Sequence, residues 1–274
     1  MIIGEGTFKN WKSLKRVIIG TRRINTHLLT KHPRKHVSKY LIPTIDDLIP
    51  LNRDEKALRS TINDIIKIPT VQVGAHAFEN CSALEEVTIL SQCNEICDFA
   101  FSGCTSLREV KFPNTLFTIG NHAFVNCESL REVKFPDTLF KIGDFAFAHC
   151  KSLQEVKFPD EMLEIGSSAF TYCTSLQEVQ LPNQLPEIRL ATFAYCTSLK
   201  KVLLPDSLCK IGSIAFYSCG SLGEITIPKK VVSIRIKAFR DCMKLKAKVP
   251  TETDFRADNL NSNTFDSDAE ITKY

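Results

Sequence analysis

The chain has 274 residues and a formal net charge of +4, with 43% hydrophobic and 24% charged residues. This composition excludes a chain that is disordered or collagen-like throughout, and the net charge is too small to indicate a class of partner. No apolar stretch approaches the roughly 18–20 residues that cross a membrane. Phenylalanine and cysteine stand out, with 18 and 11 copies.

A repeat of 23 residues organises most of the chain. Eight cysteines recur at this spacing, each with a phenylalanine three residues earlier and a leucine three residues later. They are Cys81, Cys104, Cys127, Cys150, Cys173, Cys196, Cys219 and Cys242. The unit reads A-F-x-x-C-x-S-L-x-x-V-x-F-P-x-x-L-x-x-I-G-x-x. Such a fixed period is typical of a solenoid, in which each unit buries its apolar side against its neighbours.

Each unit contains the pattern of a short strand. Val110 and Phe112 alternate with polar Glu109 and Lys111, and Pro113 ends the run because proline cannot donate a ladder hydrogen bond. The spacing A-F-x-x-C places its apolar residues on one side of a single helical turn. The stacked units therefore predict an α/β solenoid, with a parallel β-sheet on one face and short helical turns on the other.

The repeat resembles the BspA-like leucine-rich repeats, and the resemblance covers residues 74–250. It implies a curved leucine-rich-repeat solenoid, with the parallel sheet on the concave face and the helical turns on the convex face. It also implies a protein that binds other macromolecules and has neither catalytic residues nor a cofactor.

Residues 1–20 match the same template as an N-terminal partial repeat, with Trp11 in the cysteine position. Residues 21–70 form an irregular segment. Within it, residues 37–43 and 62–69 fit the strand template, which favours a solenoid that continues through two degenerate units. The alternative is a helical insertion over residues 53–66, which would begin at a capping-box-like Asn52 and Glu55.

Residues 71–250 form the predicted eight-unit solenoid, and residues 251–274 differ from it. They are acidic and contain few large apolar residues, a composition that predicts a disordered tail.

The N-terminal segment is basic, with ten lysines and arginines and no acidic residue between Lys9 and Lys39. These basic residues are spread out and lack the interleaved aromatic residues of a single-strand binder, so a solvated surface is the favoured interpretation.

The cysteine position lies between apolar phenylalanine and leucine positions, and Trp11 can replace it. We therefore interpret the row as reduced core cysteines, because free cysteine is among the most buried residue types. A zinc site needs convergent ligands, and Cys93 and Cys97 lack a second pair of ligands.

The odd number of cysteines and the lack of a signal peptide predict an intracellular, cytoplasmic location. If the N-terminus is truncated, a cell-surface location is the alternative.

The outward-facing strand positions are the predicted functional surface. They form two columns, one mainly of glutamate and one mainly of lysine, which neutralise each other along most of the sheet. A specific site should lie where this pattern changes, at Gln180, Lys201 and Leu203. The predicted protein-binding residues are Glu109, Lys111, Glu132, Lys134, Glu155, Lys157, Glu178, Gln180, Lys201 and Leu203.

The sequence contains no phosphate-binding loop, dinucleotide-binding, zinc-protease or nucleophile-elbow motif. We therefore predict a non-catalytic scaffold that binds another protein through its concave face, with no cofactor, no metal and no small-molecule substrate. One alternative is a cell-surface or secreted adhesive protein whose N-terminal signal is missing. The other is a protein that binds nucleic acid or an anionic membrane through its basic N-terminal segment.

Overall fold

The computed structural model describes residues 2–19, 71–90, 92–251 and 264–274. These residues stack as successive turns of a parallel β solenoid, which confirms the predicted solenoid and its parallel sheet. Two sets of strands run along it, and we call them the front sheet and the side sheet. The front sheet contains the E-V-K strands of the repeat, which the sequence placed on the concave face.

The front sheet consists of ten short parallel strands in two hydrogen-bonded sections, with an interruption between β6 and β8. Its strands are β2 (Arg16–Ile19), β4 (Glu86–Ile89), β6 (Glu109–Lys111), β8 (Glu132–Lys134), β10 (Glu155–Lys157), β12 (Glu178–Gln180), β14 (Lys201–Leu203), β16 (Glu224–Thr226), β18 (Lys246–Val249) and β19 (Glu270–Lys273).

The side sheet is built from the L-x-x-I-G part of the repeat, for which no strand was predicted from the sequence. Its strands are mostly two residues long, too short to produce an alternating pattern. They are β1 (Ile2–Ile3), β3 (Val71–Val73), β5 (Cys93–Ile96), β7 (Thr118–Ile119), β9 (Lys141–Ile142), β11 (Glu164–Ile165), β13 (Glu187–Ile188), β15 (Lys210–Ile211) and β17 (Ser233–Ile234).

A row of stacked phenylalanine rings fills the space between the sheets and the connecting turns. The rings of Phe124 and Phe147 have centroids 5.1 Å apart and planes 6° apart, and neighbouring turns repeat this geometry. Both side chains are fully buried. Each such pair adds about 0.5–1.5 kcal/mol beyond the burial of apolar area, so the row binds each turn to the next.

The predicted helical turns on the convex face are wrong. The described residues contain no helix, and therefore none that is long and apolar enough to cross a membrane. The A-F-x-x-C segment forms a turn between two residues with positive φ, such as His122 at 57° and Asn126 at 60°. These left-handed residues interrupt a helix. Alternate amides bond to the next turn, as in the 2.7 Å bond from Phe124 N to Ala146 O, and the others bond within their own turn, as from Val125 N to His122 O.

In several turns a glycine allows the close approach of the main chain where the side sheet meets the connecting turn. A Cβ at Gly143 would lie 2.6 Å from the amide nitrogen of Asn121, and one at Gly166 would lie within 2.5 Å of the main chain of Gly143 and Asp144. Arg189 occupies the same repeat position one turn later, and hydrogen bonding of the side sheet is interrupted there, between β11 and β13.

The N-terminal unit stacks directly on the turn that begins at residue 71. Strand β1 pairs with β3, strand β2 pairs with β4, and the ring of Phe8 lies 5.0 Å from that of Phe78. These two described turns are therefore direct neighbours. Both predictions for residues 21–70, the two degenerate units and the helix over 53–66, lie outside the described part of the chain.

Part of the predicted disordered tail adds one more turn to the solenoid. Strand β19 pairs in parallel with β18, and Phe265 stacks on Phe239 with ring centroids 5.2 Å apart. Phe265 is only 7% exposed, so a single aromatic residue extends the core into a segment of polar composition. Residues 252–263 lie outside the described part of the chain.

Candidate functional site

The front sheet presents its charged residues outward in straight columns. In the three-residue strands from β6 to β16 the middle residue is buried and both neighbours are exposed. The register aligns equivalent repeat positions, so Glu155 lies between Glu132 and Glu178. All the predicted protein-binding residues therefore face outward on the front sheet.

The first strands of this surface neutralise their own charges. Each glutamate forms an ion pair with the lysine two residues later in the same strand. This pairing raises the pKa of Lys134, through its hydrogen bond and charge interaction with Glu132. The Nζ–Oε1 distances are 3.2 Å for Lys111 and Glu109, 2.8 Å for Lys134 and Glu132, and 3.0 Å for Lys157 and Glu155. Such exposed pairs contribute little stability, so this half has the character of a solvated face.

The pairing stops at strands β12 and β14. Gln180 replaces the lysine in β12, and Lys201 and Leu203 replace glutamate and lysine in β14. Within the residues that the structure describes, neither Glu178 nor Lys201 forms an ion pair. Leu203 is 45% exposed, where strands β6, β8 and β10 have a lysine. The change of pattern seen in the sequence is therefore also a change from paired to unpaired charges.

A groove of about 1000 Å³ lies over this part of the front sheet. Lys201 and Leu203 of β14 and Glu224 and Thr226 of β16 form its floor. At one edge the Tyr274 hydroxyl donates a 2.9 Å hydrogen bond to the carbonyl of Ile227. The rest of the lining comes from Lys200, Val202, Leu204, Asp206, Gly223, Ile225, Pro228, Lys229 and Lys230.

The groove follows from two local departures from the repeat. The ladder between β14 and β16 has one register pair, Lys201 with Glu224, whereas the ladder between β12 and β14 has three. Gly223 takes the position held by Gln177 and Lys200 in the two previous turns. A Cβ at Gly223 would meet nothing within 4 Å, so the missing side chain leaves open space.

A second exposed column, which is apolar, precedes the strands of the side sheet. Phe117 and Phe140 stack with ring centroids 5.1 Å apart and are 50% and 36% exposed. Leu163 and Val232 occupy equivalent positions in later turns and are 41% and 60% exposed. The sequence analysis did not identify this column, because single apolar residues in a turn carry no periodic signal of their own within one unit.

The periodic cysteines are buried and free, which confirms their interpretation as core residues. Burial raises the pKa of the Cys81 thiol to about 11 and that of Cys196 to about 12. Thiols in this state are poor nucleophiles and poor metal ligands. Across the described ranges, no three histidine, cysteine or acidic side chains converge as a metal site would require.

Three described basic residues at the N-terminus, Lys9, Lys15 and Arg16, form ion pairs with acidic residues of the adjacent turn. Lys9 Nζ lies 2.6 Å from Glu79 Oε2, and Arg16 Nε lies 3.0 Å from Glu86 Oε2. Burial alone would raise the pKa of Glu79, but hydrogen bonds and charge interactions with Lys9 and His76 bring it below its ordinary value. These bases therefore join two turns. The remaining basic residues, from 22 to 39, lie outside the described part of the chain.

The family follows from the repeat units. A family model of the BspA type leucine rich repeat region matches the chain in six copies, over residues 71–196 and 118–246, which together are more than half of the chain. The chain belongs to the BspA-type leucine-rich repeat family. No functionally curated protein matches it significantly.

Two solved structures share this BspA-type fold. A leucine rich repeat protein from T. pallidum is 36% identical with a TM-score of 0.54, and the match covers 58% of this chain and 74% of that one. A leucine-rich repeat protein from Bacteroides ovatus ATCC 8483 is 27% identical with a TM-score of 0.57, and the match covers 74% of this chain and 60% of that one. The chain thus spans less than two thirds of the Bacteroides protein.

Several residues that line the groove of this BspA-type chain were not predicted from its sequence. Lys229 and Lys230 follow the repeat's proline, where earlier turns have residues such as Asp137 and Thr138, and Gly223 also departs from its column. These departures are visible in an alignment of the units. The position of Tyr274 is not visible in such an alignment, because its contact with Ile227 spans 47 residues and depends on the additional C-terminal turn.

Proposed function

We propose that this BspA-type chain is a non-catalytic scaffold that binds another protein through its front sheet, at strands β12 to β16. The observation that carries the proposal is the loss of ion pairing at these strands. Lys201 and Leu203 stay exposed over a groove, whereas the lysines of β6 to β10 are occupied by their own glutamates. Available charges beside an exposed apolar side chain suit an interface better than a self-neutralised face does.

Membership of the family supports this proposal, because stacked repeats produce extended binding surfaces. A fold alone does not establish a function, so the proposal depends on the charges and the exposed apolar side chain of the front sheet. Nothing on the front sheet resembles a catalytic arrangement. Its acidic residues are exposed and occupy columns, and no nucleophile and base meet in the groove.

The test is a pull-down from the native source in reducing buffer. One bait is the wild-type chain, and a second carries Gln180→Glu, Lys201→Glu and Leu203→Asp. The control bait carries Lys111→Glu and Lys134→Glu, which change the net charge equally but lie in the ion-paired half. We expect a discrete protein partner with the wild type and the control, and its loss with the triple variant. Retention of that partner by the triple variant would place the site elsewhere.

A further inference from the structure

The groove over β14 and β16 is positively charged. Its lining contains four lysines and two acidic residues, Asp206 and Glu224. The lysines are Lys200, Lys201, Lys229 and Lys230, and all four are exposed. In the described part of the chain none of these four forms an ion pair, in contrast to the paired lysines of β6, β8 and β10.

The groove floor also contains one exposed apolar side chain, that of Leu203. Leu203 is 45% exposed on the floor and lies in the same column as Lys111, Lys134 and Lys157 of the earlier strands. The register pair of Lys201 with Glu224 places Gly223 next to Lys200, and the missing side chain leaves open space there. A partner segment that lies along the groove can therefore place an apolar side chain on Leu203 and negative groups on the surrounding lysines.

We propose that this groove binds an extended acidic peptide segment of a partner protein, with its carboxylates on the lysines and an apolar side chain on Leu203. The inference rests on the proposed function and names the chemistry of the partner. The amides of a peptide can donate hydrogen bonds to Glu224 and Asp206. Tyr274 is the single aromatic residue of the lining, so there is no row of rings on which bases could stack.

The chain offers a matched pair of glycine variants to test this inference. Gly223→Gln restores the residue found at Gln177 and fills the groove, while Gly220→Thr restores the residue found at Thr197 outside the groove. An added Cβ meets nothing within 4 Å at either glycine, so both variants should fold as the wild type does. Thermal unfolding of each variant verifies this.

The probe is a displayed library of random short peptides, selected on the wild-type chain alone. We expect the recovered peptides to be acidic and to contain an aliphatic residue. Their affinity, measured by fluorescence anisotropy, should fall about tenfold or more with Gly223→Gln and with Lys201→Glu, and change less than about twofold with Gly220→Thr. It should also weaken as the salt concentration rises.

Three results would overturn the inference: no peptide is recovered, the recovered peptides are not acidic, or they bind Gly223→Gln as tightly as the wild type. Tighter binding of labelled oligothymidylate than of any peptide, abolished by Lys201→Glu, would assign the groove to nucleic acid instead. If the peptides fail but the pull-down partner is still lost with the triple variant, binding by the front sheet stands and only the acidic chemistry is wrong.

Discussion

Cys150 donates its thiol hydrogen to the main-chain carbonyl of Phe124 in the preceding turn, with 3.3 Å between Sγ and O. The same bond, between residues 26 positions apart, recurs along the solenoid, as from Cys104 to the carbonyl of Phe78. The Phe124 carbonyl also accepts the amide of Cys127 at 3.2 Å, so the thiol, a small apolar group that can donate, supplies a second donor to it. This pairing accounts for cysteine at a core position where a leucine would only pack.

The thiols of the periodic cysteines should be chemically inert in the folded protein. They are buried, whereas Cys97 and Cys209 are partly exposed. We expect a thiol reagent such as Ellman's reagent to modify at most these two positions under native conditions, and all 11 cysteines after denaturation. Rapid native modification of Cys150, located by mass spectrometry, would contradict the account.

The same burial predicts a loss of stability at alkaline pH. Desolvation raises the pKa of Cys81 to about 11 and of Cys196 to about 12, from an ordinary value of 9.0. A pKa raised by folding means that the stabilisation is complete below pH 9 and is lost as pH rises toward 11–12. Each thiol that ionises only when unfolded lowers stability by about 1.4 kcal/mol per pH unit in this window. Melting temperatures that stay constant from pH 8 to 11 would disagree with this prediction.

The phenylalanine row should dominate stability. We expect Phe147→Ala to lower the free energy of unfolding by about 3–5 kcal/mol, because it removes a fully buried ring that stacks on both sides. Phe117→Ala is the control, since that ring is half exposed and lies outside the core. Its effect should be much smaller, and chemical denaturation measures both. Equal losses for the two variants would show that the row is not the main source of stability.

Where a glycine such as Gly143 precedes the connecting turn, the close approach of the turns should require it. Gly143→Ala places a Cβ 2.6 Å from main-chain atoms of the preceding turn, and overpacking of this kind costs about 1–3 kcal/mol. Gly220→Ala adds the same methyl group to open space and should change stability by less than about 1 kcal/mol. Equal melting temperatures for the two variants would show that the close approach of the turns does not require glycine at position 143.

The sequence predicted the repeating core well because every unit restates it. Phe147 and Cys150 are buried as their spacing indicated, and Glu155 and Lys157 face outward as the alternation indicated. The connecting turns were predicted wrongly, because the positive φ at positions such as Asn126 depends on hydrogen bonds to the next turn and on no fixed residue type.

The candidate site was predicted only in part. The broken columns at Lys201 and Leu203 located the strands where the surface changes, because a change of residue type is visible in a strict repeat. The groove depends on relations between units that one unit does not encode. The ladder between β14 and β16 is reduced to one register pair, and Tyr274 reaches the same edge from the last turn.

Site-specific photo-crosslinking tests the central claim, that the partner binds the front sheet at β14, most directly. Photoreactive benzoyl-phenylalanine replaces Leu203 in one variant and Val232 in another, and the bait is irradiated with the partner from the pull-down. Val232 is the control because it is 60% exposed but belongs to the apolar column beside the side sheet. The account predicts a crosslink from position 203 and none from position 232. A crosslink from position 232 alone would contradict it.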